Sequence, residues 1–292
     1  MTRQKILLAL CLAWGGLAQA QMAGSSVSVG QVHLSDARLD SGSAVSVSTT
    51  QFSLGHSMQI APTTSVGIQL RADQESWTFD GPVPALWQDV RRLSLGVPLT
   101  HRFSESWAAM ITPRVEWAGE EGSKGSDAIA WGLIAGASKQ LAPGRRIGMG
   151  LSLSRTLDNS TELFPFFLVD WRFDDHWRLF NPLGLGLSGP AGLELAYRVT
   201  PELELGLGGA WRNTRFRLAE DNRRAAGGVG QFSYVPVFLH AAWKPVPALS
   251  LDAFAGVLLN GRLKIEDRNA QRVESRDMKS TPAFGLTAAY RF

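Results

Sequence analysis

The end of the chain alternates strictly between two kinds of side chain. The larger apolar residues lie on one side, namely Phe284, Leu286, Ala288, Tyr290 and Phe292, and the other side carries Gly285, Thr287, Ala289 and Arg291. Alternation with a period of two residues predicts a β-strand whose faces meet different surroundings. A slip of one residue would exchange the faces, so the pattern also sets which face is which.

The same alternation recurs along most of the chain. It is clear in the segments 107–117, 147–154, 193–198, 203–208 and 249–259. Beyond the first twenty residues, no segment offers the roughly 18 consecutive apolar residues that a transmembrane helix needs. We therefore expect an all-β chain whose apolar strand faces meet lipid.

Two kinds of connection separate the alternating segments. Tight turns rich in Pro, Gly and Asp lie at 61–63, 104–105, 142–144, 174–175, 200–201 and 245–247. Longer polar loops lie at 80–88, 119–127, 158–161, 219–230 and 267–279. Short turns at one end and long loops at the other are typical of outer-membrane barrels. The count of segments predicts a transmembrane antiparallel up-and-down β-barrel of about 14 strands, with roughly 12 or 16 as alternatives.

The N-terminus has the pattern of a secretory signal peptide. Basic Arg3 and Lys5 precede an apolar run over 6–14, and Ala18 and Ala20 form a small-x-small cleavage pattern. The run is too short to span a bilayer. We expect residues 1–20 to be removed on export, and 21–292 to form a single barrel domain in the outer membrane of a Gram-negative cell.

Several segments carry a family resemblance. The sequences FPFFLVDWR (164–172), DDHWRL (174–179), LELAYR (193–198) and GRLK (261–264) resemble an uncharacterised bacterial outer-membrane barrel family, porin-like in its superfamily and catalogued as a domain of unknown function. That resemblance implies a fold and a location but no catalytic or ligand-binding residue. The aromatic C-terminal strand also resembles the signal that the barrel-assembly machinery reads, carried here by Phe284, Leu286, Tyr290 and Phe292.

The polar faces of the strands carry charges of both signs. The lumen-lining candidates are Arg71, Asp73, Arg114, Glu116, Asp170, Arg172, Glu194, Arg198, Asp252, Arg262, Lys264 and Glu266. One interpretation is a water-filled channel for passive passage of small solutes. The other is a network of paired charges that fills a closed lumen, leaving a structural or interaction barrel that acts through its long loops. Glycines such as Gly206 and Gly208 favour open space, although small residues also let large neighbours fold inward.

Enzymatic and cofactor functions have little support in the sequence. Five histidines, His33, His56, His101, His176 and His240, show no metal-ligand spacing, and Cys11 in the predicted signal peptide is the single cysteine. A lipid-modifying enzyme is the remaining alternative, with His101 as the base and Ser104 or Ser106 as the nucleophile. We expect no enzyme, no metal and no cofactor.

The charge composition limits the classes of molecule that this chain is expected to bind. The full chain holds 29 basic and 26 acidic residues, a balance that does not favour nucleic acid. The expected partners are outer-membrane lipid, lipopolysaccharide and the assembly machinery. The sequence leaves the oligomeric state open.

Overall fold

Antiparallel β-pairing accounts for nearly all of the structure, a computed structural model that describes residues 24–155, 157, 161–182, 184–187 and 191–292. The predicted signal peptide, with Ala18 and Ala20, lies outside these described residues. A short 3-10 helix covers Gly125–Ala128. Within the described part of the chain, no helix is long and apolar enough to cross a membrane.

Seventeen strands are seen among the described residues. The first nine are β1 (Gly24–Arg38), β2 (Ala44–Ala61), β3 (Thr64–Asp80), β4 (Val90–Gly96), β5 (Leu99–Arg102), β6 (Trp107–Glu120), β7 (Ile129–Ala142), β8 (Arg145–Arg155) and β9 (Thr161–Arg172). The others are β10 (Trp177–Phe180), β11 (Gly192–Arg198), β12 (Leu203–Ala210), β13 (Arg212–Arg217), β14 (Val229–Val246), β15 (Leu249–Glu266), β16 (Arg272–Met278) and β17 (Thr281–Arg291).

These strands form one closed barrel with fourteen strand positions around its circumference. We call each position a stave, which consists of one strand or of two strands in line. Three staves are interrupted: β4 and β5 both lie between β3 and β6, β12 and β13 both pair with β14, and β16 and β17 both pair with β15. The first and last strands pair antiparallel from Ser26 opposite Arg291 to Leu34 opposite Ala283. The prediction of an all-β, fourteen-strand antiparallel barrel is confirmed.

The two faces of the wall differ as the alternation predicts. Large apolar side chains are exposed on the outer face, among them Leu70, Ile111, Met149, Leu207, Leu239 and Leu286. Phe284, Tyr290 and Phe292 of the predicted assembly signal are also exposed there. An apolar outer band around a closed sheet is the arrangement of a barrel surrounded by lipid. We call the end with tight turns the turn end and the opposite end the loop end.

A β-bulge in β15 reverses the faces near the loop end. Asn260 has a left-handed φ of 52°, and the register with β14 shifts by one residue at this point. Below the bulge Phe254 and Leu258 point inward, whereas above it Leu263 and Ile265 are fully buried inside. The expectation that Arg262, Lys264 and Glu266 face the lumen therefore fails, because these residues lie on the opposite face from Leu263 and Ile265.

The wall is also incomplete at one stave. β10 ends at Phe180, and its ladder with β9 covers only the stretch from Asp170 to Arg172. Beyond Phe180 the Asn181 side chain replaces the backbone ladder between β9 and β11. Its Oδ1 accepts from Val169 N at 2.6 Å, and its Nδ2 donates to Gly192 O at 2.8 Å. Pro182 follows and has no N–H for a ladder. The sequence pattern predicts a strand over 177–184, and the observed strand is shorter because the chain leaves the wall at Asn181.

The bulge yields a stability prediction. Asn tolerates the left-handed region because its short polar side chain can hydrogen-bond locally, whereas a β-branched residue is a steric outlier there. We expect Asn260→Val to lower the free energy of unfolding by roughly 1–3 kcal/mol, and Asn260→Gly to change it little. Equilibrium urea unfolding in lipid vesicles measures both. Equal stability of the valine and glycine variants would contradict the proposed strain.

Candidate functional site in the barrel lumen

An apolar plug fills the lumen at the loop end. Its aromatic members are Trp77 and Phe79 of β3, Trp87 of the loop 81–89, Phe216 of β13, and Phe232 and Tyr234 of β14. Aliphatic side chains from the wall and loops surround them, including Val45, Leu86, Leu218, Leu263 and Ile265. The plug is therefore built by inward strand residues together with residues of the loops 81–89 and 218–228.

Trp87 lies at the centre of the plug. Its ring meets Trp77 and Phe216 edge-on, with centroid separations of 5.2 and 5.1 Å. Trp77 also meets Phe232, which reaches it from the opposite wall, at 5.3 Å. Edge-to-face aromatic pairs contribute about 0.5–1.5 kcal/mol beyond the apolar area they bury. These contacts hold Trp87 in place across the mouth of the barrel.

Buried polar contacts fasten the loops above the plug. The Glu120 carboxylate accepts from the backbone N–H of Gln88 at 2.7 Å and of Ala219 at 2.8 Å, and from Asn222 Nδ2 at 3.1 Å. Arg217 donates to the carbonyl oxygens of Asp127, Gly227 and Leu157. Four long-loop segments are thus tied to one another.

A belt of ion pairs lies directly below the plug. The Arg92 guanidinium bridges Glu116 at 2.8 Å and Glu75 at 3.5 Å, and Arg71 Nε binds Asp73 at 3.0 Å. Arg92 also donates to the Arg215 carbonyl at 3.2 Å. This contact joins β4 to β13, which also bridges β6 between Arg217 and Gly119. The belt pairs its charges where burial would otherwise penalise them.

The connection after β10 enters the lumen at mid-height. Gly186 N donates to Gln51 Oε1 at 2.8 Å, and Leu185 and Leu187 are buried. Gly186 has φ near 95° and lies against the Phe254 ring, so a larger side chain would meet both strain and a clash. This short described segment therefore narrows the lumen beside β2 and β15.

A second polar cluster lies toward the turn end. His240 Nδ1 lies 2.7 Å from Glu194 Oε1, and its Nε2 lies 3.1 Å from Asp252 Oδ1. The imidazole ring stacks on the Phe254 ring with a centroid separation of 4.3 Å. Ionised carboxylates only accept hydrogen bonds, so a doubly protonated imidazole satisfies both contacts at once. Arg178 pairs with Asp170 at 2.7 Å nearby. The cluster links β11, β14 and β15.

One part of the lumen retains open space. Gln69 and Arg114 are exposed although both belong to the inward faces of β3 and β6. Small inward residues, Ser53, Gly55 and Ser57, line the adjacent part of β2. Exposure of inward side chains indicates a cavity beneath the ion-pair belt. The lumen is thus filled at the loop end, and below the belt it is accessible beside Gln69 and Arg114.

The structure sorts the predicted lumen residues into two groups. Nine lie on inward faces: Arg71, Asp73, Arg114, Glu116, Asp170, Arg172, Glu194, Arg198 and Asp252. Arg262, Lys264 and Glu266 lie on the other face of β15, where Arg262 pairs with Asp277 at 2.7 Å and Glu266 with Arg215 at 2.8 Å.

Gly206 and Gly208, expected from the sequence to favour open space in the lumen, have another role in the structure. The side chain of Glu194 lies over Gly206, and the Phe238 ring lies over Gly208. These glycines therefore make room for large neighbours rather than for a solute.

Sequence reasoning missed the plug and the partner of His240. Trp87 belongs to a segment predicted as a polar outer loop, although its Pro-Ala-Leu-Trp sequence is apolar. That local apolarity is the signal that could have predicted inward folding. The side chains of His101 and Ser104 have other partners than the pair that an enzyme would need. His101 Nδ1 lies 2.8 Å from Thr64 Oγ1, and Ser104 Oγ accepts from Trp107 N at 3.1 Å within its own turn.

Comparison with known families agrees with this architecture. Residues 63–291 match the family model described as Domain of unknown function (DUF6268). The chain belongs to the DUF6268 family. The resemblance to an uncharacterised porin-like barrel family is confirmed. No functionally curated protein matches the sequence significantly.

Solved outer-membrane proteins are similar to this DUF6268 member, and one of them, with a TM-score above 0.5, supports the fold. The COG4313 outer membrane channel from Pseudomonas putida F1 is similar with a TM-score of 0.52 and 14% identity, over 93% of this chain and 96% of that chain. The P. putida toluene transporter TodX has a TM-score of 0.44 and 9% identity, over 97% and 94%. The NanC porin has a TM-score of 0.38 and 8% identity, over 92% of this chain and 100% of that chain. At these identities the likeness concerns the fold alone.

The ion-pair belt yields a coupling prediction. Arg92→Gln would leave Glu116 and Glu75 without their shared cation, and we expect it to lower the free energy of unfolding by about 3 kcal/mol. Arg92→Gln combined with Glu116→Gln should be less destabilising than Arg92→Gln alone, because one stranded carboxylate is removed. Urea unfolding in vesicles completes the double-mutant cycle. Additive losses would contradict a direct pair.

Proposed function

We propose that this chain is an integral outer-membrane channel for passive passage of small solutes, shut at its loop end in the present conformation. The observation that carries the proposal is that the plug includes Leu86 and Trp87, which the loop 81–89 inserts among the inward side chains of the wall. A separate plug domain is not needed to shut the barrel. Displacing Leu86 and Trp87 would open the plug toward the ion-pair belt and the cavity around Gln69 below it.

The chemistry of the plug supports a movable closure. The Trp87 indole N–H is buried and has no hydrogen-bond partner among the described residues. A buried donor without a partner costs about 1–3 kcal/mol, which reduces the stability of the closed state. A solute with an apolar body and a hydrogen-bond acceptor would fit this position and then meet the charged belt below. Small amphipathic molecules are therefore the solute class we favour.

Location and assembly follow from the same proposal. In outer-membrane barrels the short turns are periplasmic and the long loops extracellular. The plug would then face the outside, and the cavity would open to the periplasm. Export would use the predicted signal peptide, and insertion would use the assembly machinery acting on Phe284, Leu286, Tyr290 and Phe292. Loop residues would meet lipopolysaccharide.

The tied loops favour a second candidate function. Glu120 and Arg217 hold four loop segments in one arrangement, as a fixed surface for a binding partner requires. In that case the barrel would be a closed interaction scaffold, and the ion-pair belt would only stabilise it. The two candidates differ in whether the plug ever opens.

Conductance in planar lipid bilayers distinguishes the two candidates. Removing the Trp87 ring takes away contacts whose loss typically costs 3–5 kcal/mol in a packed core. We expect Leu86→Ser with Trp87→Ala to raise the open-state population of the purified barrel by at least roughly tenfold. Wild-type protein should show rare openings.

Trp211→Ala provides the matched control, because Trp211 is 50% exposed and lies outside the plug. It should conduct like the wild type. If the folded plug variant shows no conductance above background, the channel proposal is wrong and the closed scaffold is favoured.

A further inference from the structure

A groove interrupts the apolar outer wall near the turn end. It has a volume of about 660 Å³ and crosses β5 to β9. Ala109 and Ala135 form its floor, whereas Leu99 and Phe103 rise on one side and Met149 and Phe167 on the other. Phe103, Met149 and Phe167 are 70%, 64% and 72% exposed. This volume is within the range of small-molecule sites in proteins.

Strand register explains why the wall is depressed here. Ala135 lies between Ile111 and Leu151 in one cross-strand row, and the next row toward the turn end contains Ala109, Ala137 and Met149. Side chains on one face of a strand recur about every 7 Å. Two successive rows with alanine at their centres therefore leave a channel that runs along the strands.

Two cations lie below the groove. Lys139 stands in the row after Ala137 on the same face, and its Nζ lies 5.5 Å from the Trp107 ring centroid. Arg145 follows in the next row, with its guanidinium 5.5 Å from the Trp171 ring centroid. Tryptophan beside a cation is typical of the interface between hydrocarbon and headgroups. The turns next to these cations contribute three exposed carboxylates, Glu105 after β5 and Asp174 and Asp175 after β9.

We propose that this groove binds one anionic glycerophospholipid, with an acyl chain over Ala109 and Ala135 and the phosphate between Lys139 and Arg145. The apolar depression can hold an acyl chain. The two cations would attract a negatively charged headgroup at the level of the membrane where headgroups lie. A second copy of the barrel is less suited, because an identical neighbour would bring Lys139 and Arg145 toward the same charges. The inference rests on the proposed membrane location and does not require channel activity.

Native mass spectrometry of the detergent-purified barrel tests this site. The probes are phosphatidylglycerol and phosphatidylcholine with identical acyl chains, added at equal concentration. Wild-type protein should retain phosphatidylglycerol roughly tenfold better than phosphatidylcholine. Lys139→Gln with Arg145→Gln should remove this preference. Ala135→Leu, which fills the groove, should reduce retention of both lipids.

Ala255→Leu is the matched control, because Ala255 is an exposed outward alanine on β15, away from the groove. It should bind lipid as the wild type does. The proposal fails if both lipids bind equally to the wild type, or if Ala135→Leu and Ala255→Leu behave alike. It also fails if the groove is occupied by a second copy, seen as a dimer that Ala135→Leu dissociates. Because the readout is lipid binding, none of these outcomes depends on conductance.

Discussion

Closure of the backbone ladder between β1 and β17 is the constraint on which the rest of the structure depends. A sheet surrounded by hydrocarbon cannot leave strand edges unpaired, because each unsatisfied backbone group costs several kcal/mol. The pairing from Ser26 to Leu34 removes both edges at once. Once the sheet is closed, alternate residues must face either lipid or the lumen. The outward Leu286 and the inward Phe254 are consequences of that division.

Fourteen staves enclose more space than their own side chains fill, since about eight strands make a filled barrel and 16–18 leave a channel. The chain fills part of this space with material from outside the wall. Trp87 enters from a loop at the mouth, and Gly186 enters at mid-height, where it binds Gln51. The charged belt around Arg92 occupies the level below the plug. The barrel is thus closed partly by inserted loop residues and partly by the inward side chains of the wall itself.

Alternation predicted the barrel, its strand number and the inward position of residues such as Asp73 and Glu194, because a period of two is a local property of each strand. It did not predict the fate of Arg262 and Lys264, since a single left-handed residue, Asn260, reverses the faces without any change in composition. Nor did it predict the plug. Whether a loop folds inward depends on the space that the closed barrel offers to Trp87, a property of the whole fold.

The cavity around Gln69 is separated from the mouth of the barrel by the plug that contains Trp87. The only cysteine of the chain, Cys11, lies in the predicted signal peptide, so Gln69→Cys would introduce a single thiol into the mature barrel. Labelling of that thiol by a small membrane-impermeant maleimide on intact cells is the direct measurement. We predict no labelling with the plug intact and rapid labelling when Trp87→Ala is added. Equal labelling with and without Trp87 would contradict the account.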